Sequence, residues 1–211
     1  MIKTDTLPIR RRSWVQVASI PKARIGWELS DCKDVTPKDL EISKRWIQKV
    51  KDGDIIRAEG KSTCGKGLLI VGEPGHGKTT LAVSIIQEML REFPPEIFMV
   101  EDGKVLVTPC YFSTFTSILD LNGTLMGEHS DEQERLFLGM HGECEDDAYN
   151  IRVLVVDDVG KEHTSASGWQ RTVLHHLIRT RFNNGLPTII TTNLPISGWD
   201  AAYGNATESF I

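Results

Sequence analysis

The octet Gly72-Glu73-Pro74-Gly75-His76-Gly77-Lys78-Thr79 stands between the apolar run GLLIV and the segment LAVSIIQEML. It matches G-x-x-x-x-G-K-[ST], and its flanks read as a strand entering and a helix leaving, the context in which that pattern carries meaning. The loop works only where a buried strand hands over directly to a helix, so it constrains the fold at once. Glycine at Gly72, Gly75 and Gly77 lets successive backbone N–H groups converge on phosphate oxygens with no Cβ in the way, and the helix N-terminus adds its positive dipole end. Lys78 is placed to reach the β- and γ-phosphates, the Thr79 hydroxyl to take one Mg²⁺ position, and Thr80 to close the binding segment. His76 holds a variable position in a cradle that has no need of an imidazole, and is read as its solvent-side member.

The rest of the chain alternates helix and strand signals. Thr36 is a good N-cap, Pro37 fits the first helical position, and Leu40, Ile47 and Val50 recur at helical spacing until Gly53. After the octet, Leu81, Ala82, Ile85, Ile86, Met89 and Leu90 share one helical face that ends before Pro94-Pro95. A strand is predicted near Cys110–Ser113, and Ser130 with Gln133 makes a capping box for a helix to about Met140. Val153–Val156 is too short for a buried helix and rich in β-branched valine, so it reads as a fully buried strand. A helix then spans about Gly168 to Phe182, closed by Asn183-Asn184-Gly185, and Pro187–Thr191 is another buried strand. On that helix Arg179 and Arg181 are expected on a solvated face. His175 and His176 are adjacent and face different directions, so they read as surface and core neighbours and not as metal ligands. The sum is an α/β fold with helices on both sides of a parallel sheet.

Two further elements carry chemistry. VLVVDD ends a buried strand in Asp157, where a P-loop protein needs an acid to hold Mg²⁺ through its water shell. Asp158 directly after it is poorly explained by packing and well placed to polarise a water that attacks the γ-phosphate; a loop cap is the competing role. In TIITTN a buried strand ends in Asn193, whose amide can donate to the γ-phosphate and accept from that water. The candidate catalytic set is therefore Lys78, Asp158 and Asn193, with Thr79 and Asp157 as metal ligands.

At 211 residues and 40% hydrophobic, the chain suits one α/β domain and not two. Residues 1–35 lack sustained periodicity and read as a basic arm or linker with docking points at Trp14, Ile20, Ile25 and Trp27; residues 36–211 form the core domain. The net charge of -5 argues against a protein coated in nucleic-acid contacts, yet the charge is segregated. Residues 1–24 hold six basic groups (Lys3, Arg10, Arg11, Arg12, Lys22, Arg24) against Asp5, whereas Glu128–Asp147 carries eight acids against Arg135. Cys32, Cys64, Cys110 and Cys144 lie more than thirty residues apart without finger spacing, and read as reduced thiols. No signal-peptide core or membrane-spanning run appears, which points to the cytoplasm and to no membrane partner.

In this order, GEPGHGKT, VLVVDD and TTN resemble Walker A, Walker B and sensor 1 of the AAA+ ATPases. The stretch WQRTVLHHLIRTRFNNGLPTIITTNLPISGWDAAYG, with Arg181 two residues before the turn, is similar to the DnaC-type helicase loaders and the IstB-type transposition helpers. The resemblance spans about Ile20 to Gly204. It implies a three-layer P-loop NTPase core using ATP and Mg²⁺, partnered by a hexameric replicative helicase or a transposase and by single-stranded DNA, and capable of nucleotide-dependent self-assembly. The group usually has Glu where this chain has Asp158. Its members also continue past the YG element into an arginine finger, a fifth core strand and a lid, so the expectation here is a core truncated before them, with ATP bound but turned over slowly. Other classes stay open. A nonhydrolysing nucleotide-gated adaptor would share Lys78 and Thr79, and a small-molecule kinase would share the loop but would want an arginine-rich lid instead of paired acids and Asn193. The 159–168 segment, with Lys161, His163 and three hydroxyls, offers groups suited to a DNA backbone.

Overall fold

The computed structural model describes residues 7–56, 64–100, 103–161 and 168–203. Helices α1 (Leu7–Val17) and α2 (Pro37–Lys51) precede strand β1 (Leu68–Val71), which hands over through the glycine loop to α3 (Lys78–Glu92). Then follow β2 (Cys110–Thr114), α4 (Phe115–Thr124), α5 (Asp131–His141), β3 (Val153–Val159), α6 (Trp169–Asn183), β4 (Thr188–Thr192) and α7 (Ile196–Tyr203). Among the described residues the sheet is parallel, four-stranded and ordered β1-β4-β3-β2. All its strands therefore end on the same side, which is where ligands bind in open α/β sheets.

The two faces of the sheet are divided by the alternation of side chains along the strands. Val153 and Val155 of β3 and Ile189 of β4 pack with Trp14, Trp46, Leu81, Ile85 and Met89 on the face covered by α1, α2 and α3. Leu154, Val156 and Ile190 point the other way, against Phe115, Ile118, Leu174, Leu177 and Trp199 from α4, α6 and α7. β3 is buried on both faces, which explains why its sequence is a continuous apolar run. From Leu7 onward, the stretch expected as an arm packs on the core through Trp14 and Ile20, whereas Ile25 and Trp27 stay exposed. Trp14 is buried and its indole N–H donates to the Leu106 carbonyl at 3.1 Å. Arg11 donates to the carbonyls of Leu90 and Phe93 at 3.1 and 2.9 Å, closing the C-terminal end of α3.

The caps read from sequence form as expected. Thr36 Oγ1 accepts from the Asp39 N–H at 3.2 Å, and the Ser130–Gln133 box closes in both directions at 3.2 and 2.9 Å. Helices α1, α4 and α7 were not anticipated; each is short, and α4 starts directly off β2 with Thr114 as its cap. Two expectations for α6 are corrected. Arg181 is fully buried, not on a solvated face. Its Nε donates to Thr188 Oγ1 at 2.8 Å, one terminal nitrogen to the carbonyls of Met140 and Ile151 at 2.6 and 3.0 Å, and the other to those of Arg152 and Pro187 at 3.1 and 3.0 Å. All five guanidinium donors are satisfied, and the charge ties the last turn of α6 to the entries of β3 and β4. Burial pushes its pKa down to about 9, so it stays protonated at neutral pH. Neither His175 nor His176 enters the core: the first is half-buried and the second exposed. Among the described residues the buried imidazole is that of His141, whose ring lies 5.4 Å from that of His176.

Candidate nucleotide site

The glycine loop follows β1 and is stitched to the neighbouring strand, since the Gly72 N–H donates to the Thr192 carbonyl at 3.3 Å. Gly75 and Gly77 have φ of 83° and 72°, in the region that L side chains avoid. A Cβ at Gly77 would meet Val35 Cγ2 at 3.5 Å and Asp34 Cβ at 3.6 Å, so the segment before α2 closes against the loop. His76 is exposed, with its ring Nδ1 at 3.3 Å from the Glu73 carbonyl. Lys78 opens α3, is only 8% exposed, and donates through Nζ to the Glu73 carbonyl at 2.8 Å. Burial lowers its pKa, and Asp158, Asp157 and Glu73 oppose that shift. Thr80, one residue beyond Thr79, is half-buried in the first turn of α3.

Across the sheet, β3 carries an extra residue. Val156 pairs with Ile190, but the next pair is Val159 with Thr192, so two β3 residues, Asp157 and Asp158, stand opposite Thr191. The Thr191 hydroxyl serves both: it accepts from the Asp158 N–H at 2.9 Å and donates to Asp157 Oδ1 at 2.6 Å. Thr79 Oγ1 reaches the same carboxylate, at 2.9 and 3.1 Å from its two oxygens. Asp157 is 4% exposed. Its burial raises the pKa, against the two threonine hydrogen bonds, while the neighbouring Asp158 charge adds to the rise. Thr79 and Asp157 thus present adjoining hard oxygens, the donor chemistry that Mg²⁺ prefers.

Asp158 sits in the bulge with φ of 61° and pairs with Lys161 Nζ at 2.7 Å. Asn193 follows β4, and its Oδ1 is buried without a hydrogen-bond partner among the described residues, an acceptor that a ligand or water would satisfy. Beside the loop, a cavity of about 330 Å³ is lined by Val35, Ile42, Val71, Leu81, His76 and Lys78. A larger one, about 430 Å³, lies at the opposite end of the sheet among Gly53, Ile56, Leu106, Gly142 and Leu186, away from all of these groups. The structure therefore brings Thr79, Asp157 and Asp158 together and places Lys78 and Asn193 on the same end of the sheet. Sequence reasoning missed Thr191; a threonine in a buried strand beside an acid-bearing one was its only signal. The proposed DNA-facing groups at 162–167, His163 among them, lie outside the described residues, as does the segment 204–211.

The family profile described as "ATPase family associated with various cellular activities (AAA)" matches residues 68–203, from β1 to α7. The chain belongs to the AAA ATPase family. Among solved structures, this AAA chain is similar to the DnaC helicase loader at 25% identity and a TM-score of 0.59, over 90% of this chain and 94% of that one. It is also similar in fold to DnaI, at 18% identity and a TM-score of 0.58 over 91% and 88% of the two chains. A putative primosome component from Streptococcus pyogenes serotype M3 aligns at 18% identity and a TM-score of 0.57, over 99% and 90%. No curated protein matches the chain at a significant level. As an AAA ATPase of the DnaC-type group it has the three-layer P-loop core expected from its motifs, and membership brings nucleotide binding, with a divalent metal as the usual companion. Among the described residues no helix is long and apolar enough to cross a membrane.

Proposed function

We propose that the chain binds Mg²⁺-ATP between β1 and α3, hydrolyses it, and uses its nucleotide state to place a hexameric replicative helicase on single-stranded DNA during replication. The likeness to the DnaC helicase loader over 94% of that chain carries this reading. On it, the loop N–H groups from Gly72 to Gly77 and the N-terminus of α3 hold the phosphates, and Lys78 swings from the Glu73 carbonyl to the β- and γ-oxygens. The 330 Å³ cavity beside the loop is of a size for the base and ribose. Thr79 and Asp157 would hold Mg²⁺, which when bound spreads the charge of the transferring phosphoryl group. Asp158 polarises the attacking water, and the open Oδ1 of Asn193 orients it. As the oxygen of water bonds to the γ-phosphorus, the bond to the β–γ bridging oxygen breaks and ADP leaves.

Copurification with the tagged full-length chain, with and without ATP, tests the role. A hexameric helicase recovered in an ATP-dependent manner is the expected result. Recovery of a transposase instead would move the chain to the transposition helpers, and recovery of neither would reject both.

A further inference from the structure

Asp158 is the strained residue of the site. Its φ of 61° puts a non-glycine residue in the left-handed region, a conformation that persists only where the surroundings hold it. The Asp158 N–H donates to Thr191 Oγ1 at 2.9 Å, and its carbonyl accepts from the Lys161 N–H at 3.3 Å. Between them Gly160 turns the chain with φ of 95°, a conformation that favours glycine, and a Cβ there would push against the Leu194 side chain. This fixed turn delivers the Lys161 ammonium onto Asp158 Oδ1 at 2.7 Å. The adjacent Asp157 carboxylate is already engaged by Thr79 and Thr191.

We propose that Lys161 is a positioning residue that restrains Asp158. The ion pair occupies one carboxylate oxygen and offsets the negative charge that a water would use, so it must open before hydrolysis proceeds. The Asp158 and Lys161 side chains are 33% and 51% exposed, where such pairs are weak. That weakness suits a restraint that opens and recloses, and not a permanent lock. The inference rests on the assignment of Asp158 to the attacking water.

Single-turnover hydrolysis of Mg²⁺-ATP, with the full chain in excess, tests it alongside calorimetric ATP affinity. Lys161→Ala is expected to raise the hydrolysis rate about 1.4- to fivefold, the span corresponding to an exposed ion pair, and to leave ATP affinity unchanged. Lys161→Arg keeps a cation in place and should stay at the wild-type rate. In an Asp158→Asn background, Lys161→Ala should gain nothing, because no carboxylate charge remains to be released. A rate unchanged or lowered by Lys161→Ala, a gain that survives in the Asp158→Asn background, or a loss of ATP affinity that marks Lys161 as a phosphate ligand would each overturn the restraint. No hydrolysis in either chain overturns it as well. If Asp158→Asn alone hydrolyses at the wild-type rate, the water-polarising assignment fails instead, and the two failures are distinct.

Discussion

Single side chains divide the candidate nucleotide site into groups proposed to hold and groups proposed to act. On the proposed reading, Lys78 and Thr79 each supply something to bound phosphate, a charge in one case and an oxygen for metal in the other. Lys78→Ala or Thr79→Ala should therefore weaken Mg²⁺-ATP binding strongly, and equal calorimetric affinity of wild type and Lys78→Ala would remove the loop from the nucleotide site. Asp158→Asn should instead keep the affinity and lose most of kcat, since its contribution is made in the transition state. Thr191 is the less obvious case. Its one hydroxyl holds both the Asp158 N–H and Asp157 Oδ1, and Thr191→Val keeps the shape while deleting both bonds. Two buried groups lose a partner, so a stability loss of about 1–3 kcal/mol by urea titration is expected, together with a fall in turnover larger than the change in ATP affinity.

Among the elements, α5 and α6 are held to the strand entries by groups at the opposite end of the sheet from the glycine loop. Arg181→Met leaves the carbonyls of Met140, Ile151, Arg152 and Pro187 without a guanidinium. Denaturant unfolding should show a loss of about 3 kcal/mol or more, placing it among the large buried-network effects, whereas exposed Arg179→Met should stay within about 0.5 kcal/mol. His141, at the end of α5, is 1% exposed, and burial pushes its pKa down to about 4, with His176 and Arg181 adding to the fall and the Phe137 carbonyl opposing it. The folded state thus binds this proton less readily than the unfolded chain. The stability associated with a neutral His141 is complete above the unfolded value near 6.5 and is lost as pH falls towards 4. His141→Gln should flatten that part of the stability profile relative to wild type, and parallel profiles would show that the imidazole takes no part.

At the scale of the whole molecule, the basic groups Arg10, Arg11 and Arg12 belong to α1 and not to a loose arm. Arg11 is committed to the end of α3, and Trp14 to the core, so removing residues 1–13 would damage the domain as well as any DNA contact. Charge reversal at Arg10 and exposed Arg12 is the cleaner experiment. If α1 meets single-stranded DNA, Arg10→Glu with Arg12→Glu should lower the slope of log affinity against log salt by roughly 1.4, the counterion release due to two lost cations. An unchanged slope would assign the basic groups to folding and solubility alone.

The sequence alone determined whatever is local. The β1 run Leu68–Val71, the start of α3 at Lys78, the Thr36 and Ser130 caps and the Asp157–Asp158 pair each depend on residues within a turn or two of one another, where period, cap chemistry and glycine freedom act directly. The same locality made GEPGHGKT and VLVVDD legible as parts of one site. What required the tertiary structure is whatever one segment does to another distant in sequence. Arg181 looked like a surface charge because its helical neighbours say nothing about four carbonyls contributed by other segments. The docking of Trp14 depends on a carbonyl at Leu106, far along the chain. The bulge that places two aspartates opposite Thr191 exists only once β3 and β4 lie side by side, because register belongs to a pair of strands and not to either sequence.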